Sequence, residues 1–240
     1  MQFVLDISHW QGATVNLQSA KDAGAVAVYI KATEGTNPNP DQHFYRNVKQ
    51  AQDAQLPWGA YHFFRWHPSF DPLAQAQTFF KLLSTGPGLG QLRPAVDVEL
   101  SPRETGVDST ERVAWRLHQF LTEFERLSGI KVTIYTSQSQ WERMVVWRNW
   151  RKGFKLDWPS RAKDHPLWVA DYEAFKTFTN RKGEKVTNQP RLPRGWADWD
   201  LCQYTGSGTF PGIQGKVDLN RPNENVDANG RTGLERIKRL

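Results

Sequence analysis

Pro94-Ala95-Val96-Asp97-Val98-Glu99-Leu100 is the stretch that decides how the chain is read. Its short apolar run has the character of a buried strand. It ends in two carboxylates one residue apart, and extended backbone points such a pair to the same face. For a lone D-x-E, a strand leaving the core and picking up solvated acids is the plainer account. The sequence on either side decides whether it is more than that.

Working outward, the same pattern recurs. Phe3 to Ser8 is a buried strand carrying Asp6, followed by the polar, aromatic loop His9-Trp10-Gln11-Gly12. A helix over 16–23, a strand over 25–30 and the polar loop Lys31-Ala32-Thr33-Glu34-Gly35 come next. A helix over 41–54, a strand over 58–64 and a helix from Asp71-Pro72 to Leu83 follow, the last with an acid cap and Pro at its first position. Beyond the central stretch, Val113, Leu117, Phe120, Phe124 and Leu127 mark one stripe of a helix over 109–127, and 131–136 is a fifth strand. After Ser137 the alternation loosens: a short helix over 138–146, a long loop over 147–165, then strands over 166–172, 200–204 and 215–219. Residues 224–240 read as a polar tail with a possible closing helix.

Eight strands, the first five each followed by a helix, predict an α/β fold: an irregular TIM-like β/α barrel with parallel strands and an abbreviated second half. One domain is expected over 1–240, with the barrel at about 3–220 and a tail at 221–240. In such barrels the functional side chains sit at the C-terminal strand ends. That rule selects Asp6, Asp97, Glu99, Asp171 and Asp218 from acids that would otherwise look scattered.

Composition narrows the chemistry. The one cysteine, Cys202, excludes an internal disulfide framework and a thiolate zinc site, and no His pair has zinc-ligand spacing. The reading therefore calls for no metal and no cofactor. No stretch reaches the ~20 apolar residues of a membrane span, and the first residues lack a signal-peptide layout. A net charge of +6 favours polyanionic partners, and 11 Trp, several in polar surroundings (Trp10, Trp66, Trp147, Trp150, Trp196), suggest a flat ligand. Acids gathered at one mouth can hold one proton for glycoside hydrolysis, or can all ionise and hold a divalent cation for phosphoryl chemistry. Stacking platforms favour the sugar.

Asp6-Ile7-Ser8-His9-Trp10-Gln11-Gly12, Tyr29-Ile30-Lys31-Ala32-Thr33-Glu34-Gly35, Gly59-Ala60-Tyr61-His62-Phe63 and Asp97-Val98-Glu99 together resemble glycoside hydrolase family 25. Ile134-Tyr135-Thr136-Ser137, Leu167 to Tyr172, Gln203-Tyr204-Thr205 and Val217-Asp218-Leu219-Asn220 continue the resemblance in order, from about residue 3 to 220. It implies a lysozyme of the Chalaropsis type, an N-acetylmuramidase cutting the β-1,4 bond between N-acetylmuramic acid and N-acetylglucosamine in peptidoglycan. Carried over by position, Glu99 is the general acid, Asp97 its partner, orienting or stabilising a charged intermediate through the substrate's acetamido group, and Asp6 and Asp218 complete the acidic floor. A carboxyl ringed by carboxylates resists ionisation, so Glu99 is expected to keep its proton under the influence of the three aspartates.

Tyr61, Tyr135, Trp168, Asp171, Tyr172, Gln203, His9 and Lys31 are candidates for substrate binding, with barrel packing as the competing role of the four aromatics. His9 and His62 have structural alternatives, Lys31 and Glu34 can form a simple loop ion pair, and Asp171 can serve as a cap. Segments 138–165 and 176–195 look longer and more basic than the family pattern, the first of them rich in Trp, with 7 Lys or Arg against 3 acids from Trp141 to His165. They are expected to face solvent or to grip anionic wall polymers. Nucleic acid is not expected as a partner, nor is membrane insertion. A wall enzyme without a signal peptide implies release by lysis or a holin pore, or carriage in a phage particle. The rival readings are a non-catalytic glycan-binding barrel and a metal-dependent nuclease.

Overall fold

The computed structural model describes residues 2–99, 110–143 and 161–239, with the backbone alone at 110–113. Strand and helix alternate through the first half: β1 (Phe3–Ile7), α1 (Leu17–Asp22), β2 (Ala25–Glu34), α2 (Phe44–Asp53), β3 (Trp58–Phe63), α3 (Pro72–Thr85), β4 (Ala95–Asp97), α4 (Thr110–Ser128), β5 (Thr133–Ser137) and α5 (Gln138–Trp141). Local sequence explains the boundaries. Asn16 caps α1 by accepting from Ser19 N at 2.9 Å, and the Asp71 carboxylate accepts from Leu73 N and Ala74 N ahead of Pro72.

The second half exchanges helices for strands: β6 (Leu167–Ala170), a hairpin of β7 (Thr177–Thr179) and β8 (Lys185–Thr187), β9 (Leu201–Gly208) and β10 (Val217–Pro222). Among the described residues the barrel closes in the order β1-β10-β9-β6-β5-β4-β3-β2, with β7 and β8 apart as their own small sheet. The barrel with helices after its first five strands agrees with the sequence reading.

Three details differ from it. The expected parallel closure fails at β10, which runs antiparallel to both β9 and β1. Residues 209–216 are too few for the crossover of a dozen or more residues that a parallel connection requires. Second, β2 continues through Glu34, so Lys31-Ala32-Thr33-Glu34 is strand and not loop. Ala32 and Thr33 are buried, and the register with β3 shifts between Lys31 and Thr33. Third, the C-terminal segment is part of the barrel rather than a polar tail. Leu234 and Ile237, on a short helix over Gly233–Ile237, pack with Val4, Leu92 and Leu201, and Arg236 Nε donates to Asp200 at 2.5 Å, sealing the floor opposite the strand C-termini.

The core between barrel and helices is aromatic. Phe79 stacks on Phe124 with ring centroids 5.1 Å apart, joining α3 to α4, and buried His62 stacks on Phe120. Leu117, Phe120 and Phe124 form the expected apolar stripe of α4; the side chain of Val113 lies outside the described residues. So do 144–160, hence Trp147, Trp150 and most of the long loop over 147–165, and Leu100 at the end of the opening stretch.

Candidate active site

Asp6 lies in β1 directly opposite Asp218 of β10. In the antiparallel β10, Asp218 is near the N-terminal end, and reversed direction puts that end at the same mouth as the C-terminal ends of the other strands. Asp218 therefore lies at the mouth the strand-end rule named, for a reason that does not apply to its own strand. Asp97 closes β4, paired across to Phe63 and Tyr135, and Val98 N then donates to Tyr135 O. The Glu99 carbonyl accepts from Trp66 Nε1 at 2.8 Å, which pins the chain where the acid leaves the strand.

All four acids line one cleft of about 240 Å³, together with Tyr61, Tyr135, Trp168, Tyr172, Gln203 and Lys31. Three of the residues weighed from the sequence are not brought there. Asp171 is buried beneath Arg191, accepting from its Nε at 2.9 Å, its Nη2 at 2.7 Å and its backbone N at 2.9 Å, which holds its carboxyl below the usual range against the cost of burial. It is an anchor for the segment after the hairpin. His9 turns away and bonds Asp41 through Nδ1 at 2.6 Å. His62 is structural as well: its Nδ1 lies 2.8 Å from Thr33 Oγ1 and its Nε2 3.2 Å from Gln75 Oε1.

Amide side chains organise the floor. Gln203 Oε1 accepts from the hydroxyls of both Tyr135 and Tyr172 at 2.9 Å, while its Nε2 donates to Asp6 at 3.3 Å. Asn220 Nδ2 donates to Asp6 Oδ2 at 2.7 Å, and its Oδ1 accepts from Trp168 Nε1 at 2.6 Å. Trp168 is buried, stacked on Tyr29 at 4.7 Å and edge-on to Tyr61 and Tyr135, so it packs the barrel and lines the cleft at once. Sequence reasoning did not single out Asn220 as an orienting residue. Nor did it assign Ser8, Gln11, Phe63 or Trp10 to the cleft. Trp10, 79% exposed at the rim, had been marked only as an aromatic residue in a polar setting.

Electrostatics divides the acids. Burial first, and the charge of Asp218 second, push the Asp6 carboxyl well above the ordinary range. Burial and then Glu99 do the same to Asp97, while Lys31 opposes. Burial raises Asp218, and its hydrogen bond with Asp6 works against that. Glu99 is raised chiefly by burial and then by Asp218, again with Lys31 opposing. The expected ring of three aspartates acting on Glu99 is thus corrected: desolvation leads, Asp218 is the charge that matters, and Asp6 and Asp97 resist ionisation themselves because they are deeper. Asp6 and Asp97 are 5% and 8% exposed, whereas Glu99 is only partly buried and meets solvent at the mouth.

Comparison with known proteins shows the family. The family model for glycosyl hydrolases family 25 matches residues 5–213. The chain belongs to that family. It is a glycoside hydrolase. Lysozyme M1 of Streptomyces globisporus is 33% identical over 226 residues, 91% of this chain and 67% of that protein. The N,O-diacetylmuramidase of Chalaropsis is 34% identical over 226 residues, 89% of this chain and 94% of that one. The crystal structure of a bacterial lysozyme from Streptomyces coelicolor superposes with a TM-score of 0.72 at 30% identity, covering 93% of each chain.

Proposed function

We propose that this family 25 peptidoglycan hydrolase is an N-acetylmuramidase with Glu99 as general acid and Asp97 as the assisting carboxylate. The observation that carries this division is unequal exposure. An acid that must touch the leaving oxygen and regain a proton from solvent has to reach the mouth, and Glu99 does. Asp97 is buried with Oδ1 lacking a hydrogen-bond partner among the described residues, which suits an acceptor for a substrate N–H.

In the reaction the Glu99 carboxyl gives its proton to the glycosidic oxygen as the bond from the muramic acid C1 breaks. The carbonyl oxygen of the neighbouring acetamido group closes on C1, and Asp97, whose ionised form Lys31 favours and whose burial makes it a strong proton acceptor, accepts the acetamido N–H as positive charge develops there. Water then adds at C1 as the bond to the acetamido oxygen breaks, giving a proton back to the Glu99 carboxylate. Asp6 and Asp218 share a proton below, and Gln203 and Asn220 hold that pair in place. Tyr172 and Trp10, half or more exposed, offer ring faces to sugars.

Mass spectrometry of digested peptidoglycan tests the reading: new reducing ends on N-acetylmuramic acid are expected, and reducing N-acetylglucosamine or free stem peptide would overturn it. Absence of any new reducing end would favour a non-catalytic glycan-binding barrel. The β7–β8 hairpin carries Arg181, Lys182 and Lys185 against Glu184, which supports a grip on anionic wall polymers. Removing 177–187 is then expected to weaken sedimentation with cell walls and to alter its salt dependence; unchanged sedimentation would refute it.

A further inference from the structure

Beside the acid cleft lies a larger cavity of about 620 Å³, and Lys31 lines both. Its wall contains Glu34 held by two cations: Lys31 Nζ at 2.5 Å, and the Arg65 guanidinium. Two positive charges against one negative leave the triad with a surplus of one. Lys31 and Arg65 are 11% and 16% exposed, and both lie over the Phe63 ring, at 5.1 and 5.0 Å from its centre. They are therefore held in place with little rotamer freedom left to lose. The other acid of the wall, Asp41, is already engaged by His9 Nδ1 and by the backbone N of His43. Amides such as Asn37 and Gln42 complete the lining.

The acid cleft, at about 240 Å³, is smaller than the roughly 300–1,000 Å³ usual for a small-molecule site, so much of a muramyl substrate has to lie outside it. The muramic acid unit carries a peptide with free carboxylates on its lactyl arm. We propose that the second cavity is the recognition site for a carboxylate of that stem peptide, with Arg65 as its principal donor and Lys31 as the bridge to the cleft. A guanidinium with spare N–H groups pairs with carboxylate in a forked geometry that a sugar hydroxyl does not use. The proposal rests on the muramidase reading and extends it to the peptide part of the substrate.

The test compares two substrates, intact glycan strands bearing stem peptides and the same strands stripped of peptide by an amidase. Wild type is expected to show a lower KM for the peptide-bearing strands. Arg65→Met should raise that KM by about tenfold or more, the loss of one charge-assisted hydrogen bond, while the stripped strands serve as the internal reference. Glu34→Gln removes the competing carboxylate and keeps the shape, so it should lower the same KM. Opposite signs from two changes at one contact cannot come from misfolding. An unchanged ratio of the two KM values in both variants would overturn the proposal, and so would equal weakening on both substrates, which would make the cavity a glycan subsite or a structural element. If wild type cleaves neither substrate, the muramidase reading itself falls, and the proposal with it.

Discussion

Replacing Glu99 by Gln keeps the shape of the side chain and removes its proton, and two consequences of opposite sign follow. Loss of general-acid assistance costs about 10²–10⁴ in kcat, towards the upper end here because a sugar alkoxide is a poor leaving group. Stability should move the other way. Burial and Asp218 hold the folded-state pKa of Glu99 above its ordinary 4.5, so the native state binds the proton more tightly than the unfolded chain does. Such a group destabilises the fold as pH rises from 4.5 through the folded pKa, and the penalty is complete above it. Each unit of elevation is worth about 1.4 kcal/mol. Each kcal/mol moves Tm by about 2–4 °C for a chain of this length. Glu99→Gln should therefore melt higher than wild type at pH 7, with the gain gone below pH 4.5. Reducing-end release from purified peptidoglycan measures the first effect, and calorimetry at pH 7 and pH 4 the second. Turnover within about tenfold of wild type would refute the assignment of the acid. A lower Tm at pH 7 with no loss at pH 4 would refute the electrostatic account.

The positive charge of Lys31 lowers the pKa of both Asp97 and Glu99, so Lys31→Met should shift the alkaline limb of the kcat/KM profile to higher pH; an unmoved limb would remove Lys31 from the proton balance. His62 is driven down from 6.5 to about 4 by burial, so folding stability should fall as pH drops across that window, by about 3 kcal/mol in all. In His62→Phe that acid-side slope should vanish, while stability at pH 7 drops because the Thr33 hydroxyl and the Gln75 amide lose their partner; urea unfolding at pH 7, 5.5 and 4 checks both. Asp171, whose carboxyl is held low by Arg191, contributes stability above its ordinary 3.8 that is lost as pH falls through the folded value. Asp171→Asn should lower Tm at pH 7 and leave kcat/KM unchanged, and a tenfold loss of activity would return Asp171 to the substrate site.

Much of the site was legible because its residues obey a simple rule. An apolar run ending in an acid is a local pattern, and Asp6, Asp97 and Glu99 each announce themselves that way. The aromatic and amide candidates follow because they neighbour strand ends. Asp171 obeys the same rule and is nonetheless a buried anchor, because its role depends on Arg191, twenty residues on and brought back past a hairpin. Asn220 entered only as the end of a motif, with no sign of its role: an amide two residues beyond an acid is ordinary until its side chain is seen to bridge Asp6 and Trp168.

By itself, then, the amino-acid order determined the alternation of strand and helix, the identity of the four acids and the family, since all of these rest on local periodicity and motif spacing. The tertiary structure decided the direction of the last strand and the relative burial of the acids, which leaves Asp6 and Asp97 buried and Glu99 and Asp218 partly open to solvent. It also decided the sharing of Lys31 between two cavities. Those properties depend on which distant segments meet, and a period of two residues carries no information about strand direction, depth or neighbour.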